Sequence, residues 1–420
     1  MLCDLPDVDG LRRYIEDDRP IDRIVGDCTP TTAAILERAL GREELSAADG
    51  IHLLTRDGYD VRALIRVADT VRAADVGDEV TYVVNRNINF TNVCFVGCQF
   101  CAFARHRKDA DAYTHSVSDV LAKVQEALDR DASEICMQGG INPDADAFGY
   151  RDLLLAIKAR FPRIHIHAFS PMEIMYGARR TGMNYRDYLT MLRDAGLGTI
   201  PGTAAEILDD EVRELLSHKK VDVRTWVEIV TTAHSLGIRS SSTVMYGHVE
   251  TPAHVAHHIV LIRSIQKQTG GFTEFVPLRF IHTNTMLYRN GLVGEPPPRG
   301  IPDLRLYAVS RLMLRGWIDH LQTSWVKLGT ALSQLSLLAG CDDFGGTLME
   351  EQISKSAGAD AGEYLPEAQI RALITAIGRI PVQRTTTYGR IAATGSPEAD
   401  HRAGRRSGRS TVSSGPLLAS

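Results

Sequence analysis

The 420-residue sequence has no excess of either charge. Its 47 Lys and Arg stand against 52 Asp and Glu, a formal net charge of −5. That balance excludes the broad basic face that nucleic acid or anionic membrane requires. No stretch reads as a membrane span. The longest uncharged window, Asn87–Ala104, is long enough, but it carries Asn87, Asn89, Asn92, Gln99 and three cysteines, which are costly in lipid. The opening Met1-Leu2-Cys3-Asp4-Leu5 has neither the basic nor the apolar part of a signal peptide. No fixed-period repeat occurs, and no G-x-G-x-x-G turn. Disulfide scaffolding is also excluded: the seven cysteines are odd in number, and three fall within eight positions. Such clustering points to metal or redox chemistry in a reducing cytoplasm.

From about residue 80 the chain alternates β-branched runs with helical stripes. Tyr82–Val84 leading into Asn87–Phe90 reads as a strand. Strands are also expected at Glu134–Met137, Ile164–Ala168, Gly198–Ile200, Ser240–Tyr246, Glu274–Leu278 and Leu321–Trp325, with a short one near Cys341–Phe344. Between them lie 3.6-period stripes, such as Val120, Leu121, Val124, Ala127 and Leu128, which Ser118 is placed to cap. Strands separated by helices predict parallel βαβ units. About eight of them over residues 80–350 predict a closed (β/α)8 barrel of the α/β class. Residues 1–79 read as a helical extension and 351–394 as a helical segment packed on the barrel. The Gly-, Ser- and Arg-rich tail 395–420 reads as disordered.

The informative stretch is Cys94-Phe95-Val96-Gly97-Cys98-Gln99-Phe100-Cys101. Its C-x3-C-x2-C spacing follows the first expected barrel strand, where catalytic loops of barrels lie. Three thiolates on one loop suit three corners of a 4Fe-4S cluster, and no fourth cysteine follows nearby. The iron left without a protein ligand is open to S-adenosylmethionine, with Phe100 placed to shield the cluster and flank an adenine. The alternative is a zinc site closed by His106. Further candidates are Gln138-Gly139-Gly140, where glycines permit close backbone approach, and Glu206, a carboxylate suited to ribose hydroxyls or to a helix N-terminus. His165 and His167 share one face of a strand, which suits either one histidine in the lumen or satisfied core histidines. Cys3, Cys28, Cys136 and Cys341 show no ligand spacing.

The triad resembles the radical S-adenosylmethionine superfamily. Further blocks narrow the resemblance: Asn89–Asn92, Cys136–Gly140, His167–Glu173, Pro201–Leu208, Met245–Val249, Gly271–Pro277, Gln322–Lys327, Gly345–Glu351 and Gln383–Tyr388. In this order they are similar to the 4-hydroxyphenyl transferase component of FO synthase, which serves deazaflavin biosynthesis. Asn284-Thr285-Met286 departs from that pattern. The resemblance implies Cys94, Cys98 and Cys101 as cluster ligands and Phe100, Gln138, Gly139, Gly140 and Glu206 around S-adenosylmethionine. His167, Tyr246 and His248 become candidate catalytic groups, with Ser170 and Glu173 as further polar partners. The implied reaction uses a 5′-deoxyadenosyl radical to cleave L-tyrosine, whose 4-hydroxybenzyl fragment joins 5-amino-6-(D-ribitylamino)uracil. It also implies a separate ring-closing radical enzyme, and an electron donor such as ferredoxin or flavodoxin. Two rivals are a related enzyme of the aminofutalosine synthase type, from menaquinone synthesis, and a non-catalytic zinc-stabilised module.

Overall fold

In the computed structural model, residues 7–391 are described. The tail 395–420, expected to be disordered, lies outside the described residues. Nine strands occur: β1 (Glu79–Val83), β2 (Asn85–Ile88), β3 (Glu134–Met137), β4 (His165–Ala168), β5 (Thr199–Ile200), β6 (Arg239–Tyr246), β7 (Phe272–Arg279), β8 (Asp343–Gly346) and β9 (Ile380–Gln383). Strands β2 to β7 form one parallel sheet in sequence order. Two parallel bridges carry the curl onward, Phe275 to Leu321 and Gln322 to Asp343. Strand β8 then pairs with β1 in parallel, Thr81 opposite Asp343. Because β1 and β2 are nearly continuous, these pairings complete a ring of eight strand positions, as the βαβ alternation predicts.

Alternation within each strand decides what faces inward. In β3, Ile135 and Met137 are fully buried toward the surrounding helices, whereas Glu134, Cys136 and Gln138 line the central cavity. In β2, Asn85 and Asn87 face the cavity, followed by Asn89, while Ile88 packs outward. The interior therefore differs from the branched apolar layers that usually fill such barrels. The apolar core instead occupies the shell between strands and helices.

The helix after the cysteine loop, Val117–Leu128, is capped by Ser116 rather than by the expected Ser118. The Ser116 hydroxyl accepts from Asp119 N–H, and the Asp119 carboxylate accepts from Ser116 N–H, which closes a capping box. The amino-terminal extension is helical, as expected. Its helix Gly58–Val76 packs on Ile301–Leu314, and Ala47–Leu54 packs on Pro252–Thr269. Buried Arg263 ties these layers by donating to Leu45 O and Met313 O, both at 2.8 Å.

The segment after residue 350 is not purely helical. After the helices Ile353–Ala357 and Glu367–Thr375, β9 runs parallel to β1, Glu79 opposite Ile380 through Tyr82 opposite Gln383. Arg384 then enters the end of the barrel that holds the amino-terminal ends of the strands. Its Nε donates to Asp343 Oδ2, and its Nη2 donates to Asp343 Oδ1 at 3.2 Å. Tyr388 stacks on His320 with ring centroids 3.7 Å apart, beneath the Arg384 guanidinium. This segment is the stopper of the barrel.

Candidate active site and cluster-binding loop

The cavity occupies about 420 Å³ and runs from the cysteine loop down the lumen. That size suits small ligands. Cys94, Cys98 and Cys101 all line its upper end as free thiols. Two backbone contacts hold their loop against the rest of the barrel: Cys94 N–H donates to Arg105 O at 3.0 Å, and Gln99 N–H to Leu216 O at 2.9 Å. The Ser217 hydroxyl donates to Cys98 Sγ at 3.0 Å. Burial pushes the Cys98 thiol up to about 11, although the Lys220 ammonium acts the other way. A thiolate here thus needs further positive charge beside it, which bound iron supplies. Among the described residues, no group of three or more Cys, His, Asp or Glu converges as ligands of a single ion. His106, the fourth ligand in the zinc alternative, is exposed.

The end of β3 abuts this loop. A Cβ at Gly140 would sit 2.3 Å from Val93 O and 3.0 Å from Cys94 Cβ, and one at Gly139 would sit 2.7 Å from the Phe90 ring. These glycines let strand end and cysteine loop meet. Gly139 N–H donates to Glu173 Oε1 at 3.1 Å. Glu173 also closes a capping box with Ser170, and burial pushes its carboxyl up to about 7. Gln138 accepts from the Thr203 hydroxyl at 2.8 Å, joining the ends of two strands.

A Gly140→Ala substitution should therefore overpack a backbone contact, at about 1–3 kcal/mol, and lower the iron bound per chain. Gly26→Ala, at a position with nothing within 4 Å, serves as control. Iron analysis after anaerobic reconstitution reads the difference, and equal iron in both variants would remove the packing argument.

Glu206 lines the cavity in the loop after β5. It accepts from Lys220 Nζ at 2.7 Å and lies 3.5 Å from Arg213. The helix-terminus reading of Glu206 is therefore replaced by a buried ion network. Ala204 and Glu206 have φ of +60° and +42°, left-handed values that cost energy for residues with a side chain. Arg213 holds this shape by donating to Ala204 O at 3.0 Å and Ala205 O at 2.6 Å. Lys220 also sits 4.9 Å from the centroid of Phe100. Phe100, Lys220 and Glu206 thus form one wall beside the cysteines. Lys220 carried no motif in the sequence.

His167 faces the lumen, and its Nδ1 pairs with Thr199 Oγ1 at 2.7 Å. His165 pairs with the same hydroxyl at 2.8 Å and is not part of the cavity lining. Two expected catalytic groups require correction. Strand β6 points Ser241, Thr243 and Met245 inward, so Tyr246 points away, and its hydroxyl donates to Asp303 at 2.8 Å. His248 lies beyond the strand end. Its Nε2 pairs with Met245 O at 3.0 Å, and its Nδ1 accepts from Val249 N–H at 2.7 Å. Neither lines the cavity.

Several lumen groups escaped the sequence reading. Lys327 lines the cavity, and its Nζ makes no hydrogen bond or ion pair among the described residues. Burial lowers its pKa, while Glu351 and Cys101 act the other way. The Oδ1 atoms of Asn87 and Asn89 and the Oε2 of Glu274 also lack partners among the described residues. Unsatisfied buried polar groups are rare in folded proteins, so these cavity-lining atoms are candidates for contact with a ligand.

The comparisons with known proteins agree with this geometry. The family model described as "Radical SAM superfamily" matches residues 88–262, and that described as "CofH/MqnC C-terminal region" matches 269–395. A 5-amino-6-(D-ribitylamino)uracil–L-tyrosine 4-hydroxyphenyl transferase of Methanothermobacter thermautotrophicus is 47% identical over 360 residues. These cover 86% of this chain and 98% of that one. The chain belongs to the radical SAM superfamily, in its CofH/MqnC branch. This family uses a 4Fe-4S cluster and S-adenosylmethionine, and the three thiols, the glycine pair and the Phe100 wall fit both. FO synthase of Mycobacterium tuberculosis (strain CDC 1551 / Oshkosh) is 52% identical over 358 residues, 85% of this chain. The chain spans only 42% of that relative's length. Among solved structures, methylornithine synthase aligns with a TM-score of 0.63 at 16% identity, covering 88% of this radical SAM chain and 99% of that one. The FeFe-hydrogenase maturase HydG from Carboxydothermus hydrogenoformans aligns at 0.69 and 15%, covering 91% and 85%. Both share the fold. Among the described residues, no helix is long and apolar enough to cross a membrane.

Acid should loosen this site. Burial holds His167 down at about 4 and His258 at about 3. His258 Nδ1 accepts from Leu208 N–H at 3.0 Å, in the loop that carries Glu206. Both values lie below that of an unfolded histidine, about 6.5, so the unfolded chain takes up protons first. Their stabilising effect is full above about pH 6.5 and is lost as pH falls toward the folded values. The thermal midpoint should thus drop between about pH 7.5 and about pH 5. His258→Gln, neutral throughout, should flatten that slope, and an unchanged slope would place the acid sensitivity elsewhere.

Proposed function

We propose that this chain cleaves L-tyrosine and transfers its 4-hydroxybenzyl group to 5-amino-6-(D-ribitylamino)uracil, a step toward the deazaflavin FO. The observation that carries this reading is the 47% identity to a protein named for those two substrates, spread over 98% of its length. The lumen supports it chemically, being long, enclosed and lined by polar groups on most strands.

Bound together, the cluster and S-adenosylmethionine supply a reactive carbon radical, and the chain's own residues do the rest. Cys94, Cys98 and Cys101 hold the iron. Phe100, Gln138, Gly139, Gly140 and Glu206 bind S-adenosylmethionine, with Lys220 fixing the Glu206 carboxylate. Lys327 anchors the carboxylate of the amino-acid substrate, which gives its ammonium a direct ion pair in addition to the influence of Glu351. His167, neutral at physiological pH, exchanges a proton with the substrates through the ring nitrogen not held by Thr199. The closed lumen keeps water and stray hydrogen donors from reactive species, and holding two substrates together provides much of the rate advantage. A ferredoxin or flavodoxin in the cytoplasm delivers electrons. A second radical SAM activity closes the deazaflavin ring.

The test is anaerobic incubation of reduced enzyme with S-adenosylmethionine, tyrosine and the ribitylated pyrimidine, followed by mass spectrometry. A hydroxybenzyl–pyrimidine adduct that needs both substrates is expected. Turnover of an enolpyruvyl benzoate, with tyrosine inert, would place the chain with the menaquinone-pathway enzymes instead.

A further inference from the structure

The end of the lumen opposite the cysteine loop has a polar floor that the cofactor site does not use. Asn85 and Glu134 begin β2 and β3, Glu274 sits low on β7, and Gln322 lies on the bridge between β7 and β8. Arg384 arrives from the stopper segment after β9. All five line the same cavity as the cysteines. Glu134 lies four residues below Gln138 on one strand, about 13 Å at the usual rise.

The inventory of this floor is selective. Asn85 Nδ2 donates to Glu134 Oε1 at 2.9 Å, which leaves the other carboxylate oxygen with spare capacity to accept. Glu274 has one oxygen without a partner among the described residues, and Arg384 Nη2 reaches Gln322 Oε1 at only 3.4 Å. An anion placed here would meet the Glu134 carboxylate and Glu274, whose carboxyl burial pushes up to about 7. A cation would meet the guanidinium of Arg384, whose charge Asp343 already pairs. An apolar group would strand the free Glu274 oxygen and leave Gln322 only its 3.4 Å contact with Arg384. A neutral chain of hydroxyls suits them, because each hydroxyl donates once and accepts twice.

We propose that this floor, formed by Asn85, Glu134, Glu274, Gln322 and Arg384, binds the polyhydroxylated side chain of the acceptor substrate and so orients its ring toward the cysteine end. The assignment rests on the proposed function for the identity of the acceptor and extends it to a specificity site. It gives the carboxy-terminal stopper a second role, since Arg384 closes the barrel and lines the polyol site at once.

The test is anaerobic calorimetric titration of the cofactor-loaded protein with two probes, 5-amino-6-(D-ribitylamino)uracil and its 6-propylamino analogue, which keeps the ring and lacks the hydroxyls. The wild-type protein should prefer the ribityl compound by a factor on the order of a hundred or more, because the analogue leaves buried groups unpaired. Glu274→Gln, of nearly the same shape, and Gln322→Leu should each shrink that ratio about tenfold. A merely structural role would weaken both probes alike and leave the ratio intact. Equal affinities in the wild type, or a wild-type ratio in both variants, would overturn the proposal. The readout is independent of turnover. Polyol preference without adduct formation retains the floor and rejects the reaction, and adduct formation with equal affinities does the reverse.

Discussion

Replacing Cys94, Cys98 or Cys101 by Ala should abolish the brown absorbance of anaerobically reconstituted protein and all turnover. Three-cysteine ligation leaves no spare protein ligand, so losing one thiolate exposes a second iron. The wild type should bind about four iron and four sulfide per chain. Cys136 and Cys341 provide the contrast. Cys136 lines the same cavity from β3, and Cys341 is fully buried beside β8. Burial pushes both thiols far up, so each stays protonated without a metal. Cys136→Ala and Cys341→Ala should therefore retain full iron. Chemical iron and sulfide analysis with electron paramagnetic resonance checks each variant. Full iron in a triple variant of the three loop cysteines would sink the cluster assignment, and iron lost from Cys136→Ala would name a fourth ligand.

The cysteine loop was legible in the sequence because its information is local: three thiols, their spacing and a preceding strand lie within one short stretch. The barrel was legible for a similar reason, since βαβ alternation needs only neighbouring periodicities. What the sequence hid depends on register and distant pairing. Tyr246 and Met245 are adjacent in a block that reads as strand throughout, and only the pairing of β6 with β7 fixes which of them enters the lumen. His248 looked like a lumen histidine and proved to be a loop clasp on Met245 O. The floor was hidden more deeply. Glu134, Glu274 and Arg384 lie in three separate blocks of sequence, and each alone reads as an ordinary charged residue. Strand β9 follows helices as a barrel strand would, yet it adds no barrel position and pairs with β1 on the side away from β8. Lys220 gave no signal, and Lys327 closed the block Gln322–Lys327 without a role attached to it, because a lysine announces itself only when its surroundings are known.

Lys327→Met should lower kcat/KM for tyrosine by about 10²–10³, the usual cost of losing a buried, charge-assisted contact. An enclosed ammonium with no hydrogen-bonded or ion-paired partner is expensive to fold, and burial lowers its pKa although Glu351 and Cys101 act the other way. Removing it should therefore leave the thermal midpoint unchanged or raise it, so the lost activity is not lost structure. Lys327→Arg keeps the charge and should recover part of the rate. A second substrate isolates the contact. Tyramine keeps the phenol and amine but has no carboxylate, so the wild type should bind it far more weakly than tyrosine. In Lys327→Met the gap between the two should narrow toward nothing, because the deletions remove the same interaction from opposite sides. Anaerobic binding and product assays with both compounds provide the comparison. If the variant instead loses affinity for S-adenosylmethionine while the tyrosine-to-tyramine gap persists, the lysine serves the cofactor's carboxylate and not the substrate's.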